Sequence, residues 1–277
     1  MTIALVTDSN AQLPGELRDL FHVGVVPLAI VIDGEEFREG VDLTTACFYE
    51  RLADGASVTT AAPSPGEVLA VYQAAVDEGA TEILSIHIGS NTSATCSAVR
   101  LAANACGVPV EVVDTGSASF AISCCVWAAG EELADGAGVA VAAAAARSAA
   151  GRVGNVFIVG ALDLARRGGR LAAGVDDADG VPVLALANGR MEVVAHVHDT
   201  DSAVDAMTAY VAEQAHGAAL RVGVGDALTP ELAAAYATAL RARPEVDELV
   251  HYEIGPSVGA HTGAGTVGAC FFAKDAP

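Results

Sequence analysis

Glu82-Ile83-Leu84-Ser85-Ile86-His87-Ile88 is a short, mostly apolar run, and Gly89-Ser90-Asn91-Thr92-Ser93 behind it is small and polar. Residues 94–105 then turn to helix formers with apolar side chains on one face, and residues 110–114 read as the next strand. A run too short for a helix, a polar break and an amphipathic segment together spell a strand, a loop and a crossover helix. The pattern repeats on both sides. Upstream, residues 3–7 end in Asp8-Ser9, and Leu13-Pro14-Gly15 opens a helical stretch. Downstream, Thr115-Gly116-Ser117 leads into a helix over residues 119–134, followed by another over 140–150. Three successive units predict an α/β fold with a mostly parallel sheet whose ligand-facing loops lie at the carboxyl ends of the strands. Asp8, Thr60, Ser93 and Ser117 are expected to share that edge.

The intervening and following segments complete the plan. Residues 25–32 form a continuous apolar run closed by the turn dipeptide Asp33-Gly34, with residues 35–38 as a hairpin partner. A helix is predicted over residues 46–53. Residues 59–67 read as a loop into a helix over 65–78, because Ser64 can cap, Pro65 suits the first helical position and Glu67 stands at capping-box spacing. Further on, residues 155–160 read as a strand and 162–167 as a helix stopped by Gly168-Gly169. Residues 181–186 and 191–198 form a hairpin about Asn188-Gly189. A helix over residues 202–216, a strand over 221–224, a helix from Thr229-Pro230-Glu231 to residue 243 and a strand over 249–254 follow. Residues 255–268 read as a Gly-rich loop, with a last strand over 267–272. With 277 residues, two domains are expected, residues 1–150 and 151–277.

Composition removes several function classes. The chain is 52% hydrophobic and 18% charged, which rules out a disordered polymer. Its formal charge of −21 repels phosphate backbones, so nucleic acid binding is not expected. The longest apolar stretches, residues 117–130 and 137–146, fall short of the roughly 18 to 20 residues that span a bilayer, so no membrane segment is expected. The opening Met1-Thr2-Ile3-Ala4-Leu5-Val6-Thr7-Asp8 has neither the basic region nor the cleavage site of a secretory signal, which reads as cytoplasmic. Six cysteines without a C-x-x-C pair or a zinc spacing read as small buried hydrophobes in a reducing compartment. No metal site and no cofactor is expected.

Three places could carry chemistry. Ser93 stands where a strand gives way to a helix, among Ser90, Asn91, Thr92 and Thr95, so hydroxyls and unpaired N–H groups converge at a positive helix end and suit an anion; the plainer reading is a helix cap. His261 lies in a segment with more glycine than packing needs, which implies close backbone approach. Arg166-Arg167-Gly168-Gly169-Arg170 is the densest basic cluster in an acidic chain, suited to an acidic partner or to a helix C-terminus.

These segments together resemble the DegV family of bacterial fatty-acid-binding proteins along nearly the whole chain. Thr7-Asp8-Ser9 with Leu13-Pro14 is similar to the family's first strand and loop. Thr60-Ala61-Ala62-Pro63-Ser64-Pro65 resembles its Thr-Ser-Gln-Pro-Ser segment, with two alanines replacing Ser-Gln, and Ile88-Gly89-Ser90-Asn91-Thr92-Ser93-Ala94-Thr95 resembles its Ile-Ser-Ser-x-Leu-Ser-Gly-Thr segment. Val113-Asp114-Thr115 with Ser119 and Leu162 through Leu171 match in order. So does the final Ile254-Gly255-Pro256 to Gly259-Ala260-His261-Thr262-Gly263-Ala264-Gly265. The chain departs from the family pattern at Gly180-Val181-Pro182-Val183, which lacks the family's Lys, and at His198, where an Arg is usual after the hairpin.

The resemblance implies a non-enzymatic lipid carrier of two α/β domains, with a mostly parallel sheet in the first and a mixed sheet in the second, enclosing one long-chain fatty acid. It implies a carboxylate held by Thr60, Ser93, Ala94, His261 and Thr262, with Ser90, Thr95 and Ser119 in support. It also implies presentation of the acid to a dihydroxyacetone-kinase-like fatty acid kinase subunit that forms acyl-phosphate; Arg166, Arg167 and Arg170, the most concentrated positive charge in the chain, are expected to form a partner or phosphate patch. Burying about 14 methylenes at ~0.8 kcal/mol each is on the order of 11 kcal/mol, comparable with an association cost of roughly 4 to 15 kcal/mol, so the tail supplies affinity and the head needs only orientation. The competing expectation is a serine hydrolase acting on acyl esters with Ser93 as nucleophile and His261 as base. It lacks a Gly-x-Ser-x-Gly elbow and an identified orienting acid.

Overall fold

The computed structural model describes residues 2–169, 171–172, 180–187 and 190–274. Arg170 and the Asn188-Gly189 turn of the expected hairpin lie outside them. The chain separates into two compact units, Met1–Gly151 and Arg152–Pro277.

In the first unit β1 (Ile3–Asp8), a short 3-10 turn (Ser9–Ala11) and α1 (Gly15–Phe21) are followed by β2 (Gly24–Val26), β3 (Ala29–Ile32), β4 (Glu35–Arg38), α2 (Thr45–Ala53), β5 (Val58–Ala61) and α3 (Pro65–Asp77). Then come β6 (Glu82–His87), α4 (Thr95–Ala105), β7 (Val110–Asp114), α5 (Phe120–Ala134) and α6 (Val139–Ala150). Strands in the order β2-β1-β6-β7 form a wholly parallel sheet. Period-2 alternation divides its side chains between two cores. Leu5, Leu84, Ile86 and Val113 pack on α5 and α6, while Val6, Ile83, Val110 and Val112 pack on α3 and α4. The α3 start has the expected capping box, with Ser64 Oγ accepting from Glu67 N and Glu67 Oε2 accepting from Ser64 N.

Two expectations are corrected in this unit. The apolar run 25–32 is not one strand: Pro27, which has no N–H to donate, separates β2 from β3, and the two strands join different sheets. Thr60 does not lie in a loop at the edge of the parallel sheet. It is on β5, paired opposite Ile30, in a three-stranded antiparallel sheet of order β4-β3-β5. Sequence around Pro63 reads as loop, yet the β3 edge recruits residues 58–61 through its unpaired backbone groups. The β3–β4 hairpin itself forms as expected, with Asp33 and Gly34 both at positive φ (51° and 88°) as a primed turn demands.

The second unit contains β8 (Gly154–Ile158), α7 (Leu162–Arg167), β9 (Val181–Ala187), β10 (Arg190–Val197), α8 (Thr200–Gln214), β11 (Leu220–Asp226), α9 (Pro230–Arg241), β12 (Val246–Glu253), α10 (Pro256–Thr262) and β13 (Val267–Ala273). Its sheet is mixed, in the order β10-β9-β8-β13-β11-β12, with β11 and β12 parallel and the other neighbouring strands antiparallel among the described residues. Val156 and Ile158 of β8 join the core under α8 and α9, and Phe157 between them packs on the opposite face with Leu184 and Met191.

The expected Gly-rich loop around His261 is a helix, α10. Pro256 occupies its first turn, extended Gly255 is its N-cap, and Gly263 (φ 77°) ends it. The glycine content does not prevent a helix, because Gly259 is tolerated inside a short helix packed against α7.

Candidate functional site

The loops after β1, β6 and β7 meet at the carboxyl edge of the parallel sheet, where side chains and backbone stitch them together. Thr115 Oγ1 donates to the His87 carbonyl (2.8 Å), Gly89 N to the Ser117 carbonyl (2.8 Å) and Ser119 N to Asn10 Oδ1 (2.9 Å). Asp114 Oδ1 accepts from Ser90 N (3.0 Å) and Gly116 N (3.1 Å). Partial burial pushes the Asp114 carboxyl up, but the hydrogen bonds from Ser90 and Gly116 and the charge of Arg100 outweigh it, so its pKa lies below the ordinary 3.8. Ser119 holds a backbone conformation that L-residues rarely adopt (φ 62°, ψ −153°), the kind of local strain found where loops serve a ligand. The three-stranded sheet carrying Thr60 is anchored at the same edge, because Ser9 Oγ donates to Glu39 Oε2 (2.5 Å) and accepts from Leu28 N (2.9 Å).

Ser93 is half-buried and stands two residues before α4. The cap position itself is Ala94, which supplies no side-chain acceptor. Ser93 Oγ instead accepts from Thr95 N (3.2 Å) and shares a hydrogen bond with Thr95 Oγ1 (2.8 Å). Helix α4 thus begins with a hydroxyl pair, Ser93 and Thr95, at its positive end and with an exposed Ala94 between them. That arrangement suits an anion supplied from outside.

Beneath these loops runs a chain of polar groups of which the sequence motifs single out only Asp8. Tyr72 Oη lies 2.8 Å from Ser85 Oγ, Ser85 Oγ 2.6 Å from His87 Nε2, and His87 Nδ1 2.9 Å from Asp8 Oδ2. All four residues have no solvent exposure. One assignment satisfies every member: Tyr72 donates to Ser85, Ser85 to Nε2, and Nδ1–H to Asp8. Burial pushes the Tyr72 hydroxyl up to about 12, partly opposed by Ser85, so it keeps its proton. Asp8 Oδ2 also accepts from Ile88 N (2.9 Å) and Oδ1 from Asn10 N (3.1 Å), which fixes the roots of the β1 and β6 loops. The connectivity matches a Ser-His-Asp triad, but Ser85 is sealed and bonded on both sides, so the group positions loops rather than attacking a substrate. The available signal was a Ser and a His at i and i+2 inside an apolar strand, facing one side together.

In the second unit the segments Leu162 through Leu171 and Ile254 through Gly265, quoted above for the family resemblance, form one joint. Ala161 N donates to the Thr262 carbonyl (3.0 Å), Gly160 N to Thr266 Oγ1 (3.1 Å), and Thr266 Oγ1 to the carbonyls of Thr262 and Gly263. Half-buried His261, near the end of α10, packs against Gly168 at the end of α7. Thr262 is buried, its hydroxyl donating to the Val258 carbonyl (3.3 Å). Arg166 and Arg167 are exposed in the last turn of α7, and Arg167 pairs with Asp163 one turn earlier. Within the first unit, then, Ser90, Ser93, Ala94, Thr95 and Ser119 lie at one sheet edge, and Thr60 lies in the sheet anchored there. Within the second, His261, Thr262, Arg166 and Arg167 share the α7–α10 joint. Among the described residues no cluster of His, Cys, Asp and Glu could hold a metal ion, and no helix is long and apolar enough to cross a membrane.

This is a two-unit α/β protein with polar loops gathered at the carboxyl ends of a parallel sheet and a second, mixed sheet carrying a glycine-built helix joint. A model described as "Uncharacterised protein, DegV family" matches residues 2–274, and the chain belongs to the DegV family. A DegV domain-containing protein of Streptomyces coelicolor is 35% identical over 271 residues, 96% of each chain. Among solved structures, a DegV family protein of Thermus thermophilus described by its fatty acid binding superposes with a TM-score of 0.88 at 30% identity, covering 99% of this chain and 100% of that one. The Bacillus subtilis DegV, described as a fatty acid binding protein, gives 0.87 at 27% identity over 99% and 100%. Neither description names a hydrolase, and Ser93 Oγ is engaged with Thr95, so the acyl-ester hydrolase expectation with Ser93 and His261 gains no support.

Proposed function

We propose that this chain binds one long-chain fatty acid and presents its carboxylate to a separate kinase subunit that forms acyl-phosphate. The observation that carries the binding reading is agreement over essentially the whole chain with the Thermus thermophilus protein described by its fatty acid binding. In this reading the first unit offers the carboxylate Ser93, the α4 amides around Ala94 and Thr60, with Ser90, Thr95 and Ser119 holding the loops, and the second unit offers His261 and Thr262 as its own head-group candidates. The chemistry fits: a hydroxyl pair at a positive helix end and an imidazole suffice to orient a carboxylate, and no Arg fork is required. The chain works in the cytoplasm in this reading, in keeping with six free cysteines. Arg166 and Arg167, exposed in the last turn of α7, are the partner or phosphate patch in this reading, and Arg170, the third basic residue of that motif, lies outside the described residues.

Denaturing extraction of the purified protein and mass spectrometry of the released lipid test the binding claim. A fatty acid is expected at about one per chain, and extracts without one, together with no uptake of added oleate or palmitate, refute it. The kinase claim is tested by neutralising Arg166 and Arg167, which should lower acyl-phosphate formation more than oleate affinity, with an effect that shrinks as salt rises.

A further inference from the structure

Gly168 closes α7 in ordinary right-handed backbone geometry (φ −73°, ψ −3°), so its dihedral angles do not call for glycine. Its surroundings do. A Cβ at position 168 would stand 2.8 Å from His261 Nδ1 and 3.6 Å from Cε1. Gly169, the next residue, is the reverse case, with φ 69° and nothing within 4 Å of its missing side chain. The two adjacent glycines therefore serve different ends: Gly169 turns the chain, and Gly168 leaves room for an imidazole. The helices cannot part to make that room another way. The Ala161–Thr262 and Gly160–Thr266 hydrogen bonds pin α10 to the start of α7, and Gly263 packs so closely on Ala161 that a Cβ there would come within 2.6 Å of the alanine methyl.

We infer that Gly168 is a positioning residue for His261, its bare backbone setting where the Nδ1 edge of the ring lies and so how the imidazole is aimed at a bound carboxylate. The ligand half of this statement rests on the fatty acid reading above. A methyl group at 168 meets the imidazole edge of a half-buried side chain rather than backbone, so the ring turns away while the backbone stays in place. Because alanine suits a helix end with these dihedrals better than glycine does, the fold itself loses nothing.

Four variants separate the outcomes: Gly168→Ala, Gly169→Ala, His261→Ala and the double variant Gly168→Ala/His261→Ala. Each is measured for thermal midpoint and for oleate affinity, and the variants retaining the histidine also for the His261 ring resonances of the lipid-free protein. Gly168→Ala should keep or raise the midpoint, shift the ring resonances and weaken oleate binding about threefold to tenfold, part of the loss expected for a charge-assisted hydrogen bond. The double variant should bind as His261→Ala does. Gly169→Ala should lower the midpoint and leave the ring resonances unmoved. Unshifted ring resonances in Gly168→Ala, or an affinity loss that persists in full when His261 is already alanine, overturns the positioning role. Wild-type oleate affinity in His261→Ala overturns instead the head-group assignment of His261, and with it the purpose given to Gly168, while the ring shift continues to report the contact.

Discussion

Asp8→Asn is the sharpest test of how the sheet edge is held. The substitution preserves volume, so no cavity forms. It replaces one carboxylate oxygen by an NH₂ group in a site where every neighbour donates: His87 Nδ1 and Ile88 N at 2.9 Å and Asn10 N at 3.1 Å. Whichever way the amide turns, one buried N–H faces another donor, at a cost of about 1–3 kcal/mol, and the surviving bonds lose their charge assistance. Together these amount to a loss of roughly 3–5 kcal/mol, a large fraction of the 5–15 kcal/mol that holds a typical domain. The single tryptophan, Trp127, is buried on α5 of the first unit, so its fluorescence during urea unfolding reads that unit. A lower midpoint at unchanged slope is expected, with faster amide exchange at Ile88 and Asn10. A loss under about 1 kcal/mol with both amides still protected would show that Asp8 does not organise the edge.

Other outcomes follow from the same geometry. Gly89→Ala would set a Cβ 2.5–2.7 Å from the Gly116 backbone; the backbone yields less readily than a side chain, so the Trp127 transition should fall by roughly 1–3 kcal/mol, and an unchanged midpoint would refute the close approach. Burial pushes the Cys96 and Cys125 thiols up to about 12, and Cys124 and Cys270 are also buried, so at pH 8 at most half-buried Cys47 and Cys106 should react with a thiol reagent before denaturant exposes the rest. Asp114 has its folded pKa below 3.8, so it contributes stability that is fully present above that value and lost as pH falls through the folded pKa. The midpoint difference between wild type and Asp114→Ala should therefore be widest near neutrality and shrink below pH 3.8, and a pH-independent difference would refute the hydrogen-bonded carboxylate. Ser93→Ala should cost oleate binding while moving the unfolding midpoint by no more than about 0.5–2 kcal/mol, as judged by titration and urea together.

Local patterning was enough for the elements whose signals are local. The strand–loop–helix order of residues 82–114, the Ser64–Glu67 capping box, the Asp33-Gly34 turn and helix Leu162–Arg167 all stand in the structure as the sequence reads, because periodicity, caps and turn dihedrals act within a few residues. The edge shared by Ser93 and Ser117 was legible too, since parallel strands must deliver their following loops to one side. What was not legible depended on partners distant in sequence. Thr60 became a strand residue only because β3 offered an unpaired edge; residues 256–262 became a helix because α7 packs against them; and Pro27 divided one apolar run between two sheets. The Tyr72–Ser85–His87–Asp8 chain joins residues up to 79 positions apart, and the space over Gly168 is defined by a histidine 93 positions later. Composition and spacing carry no record of such meetings. They arise only when a register is chosen and a buried polar group must find the one partner that satisfies it.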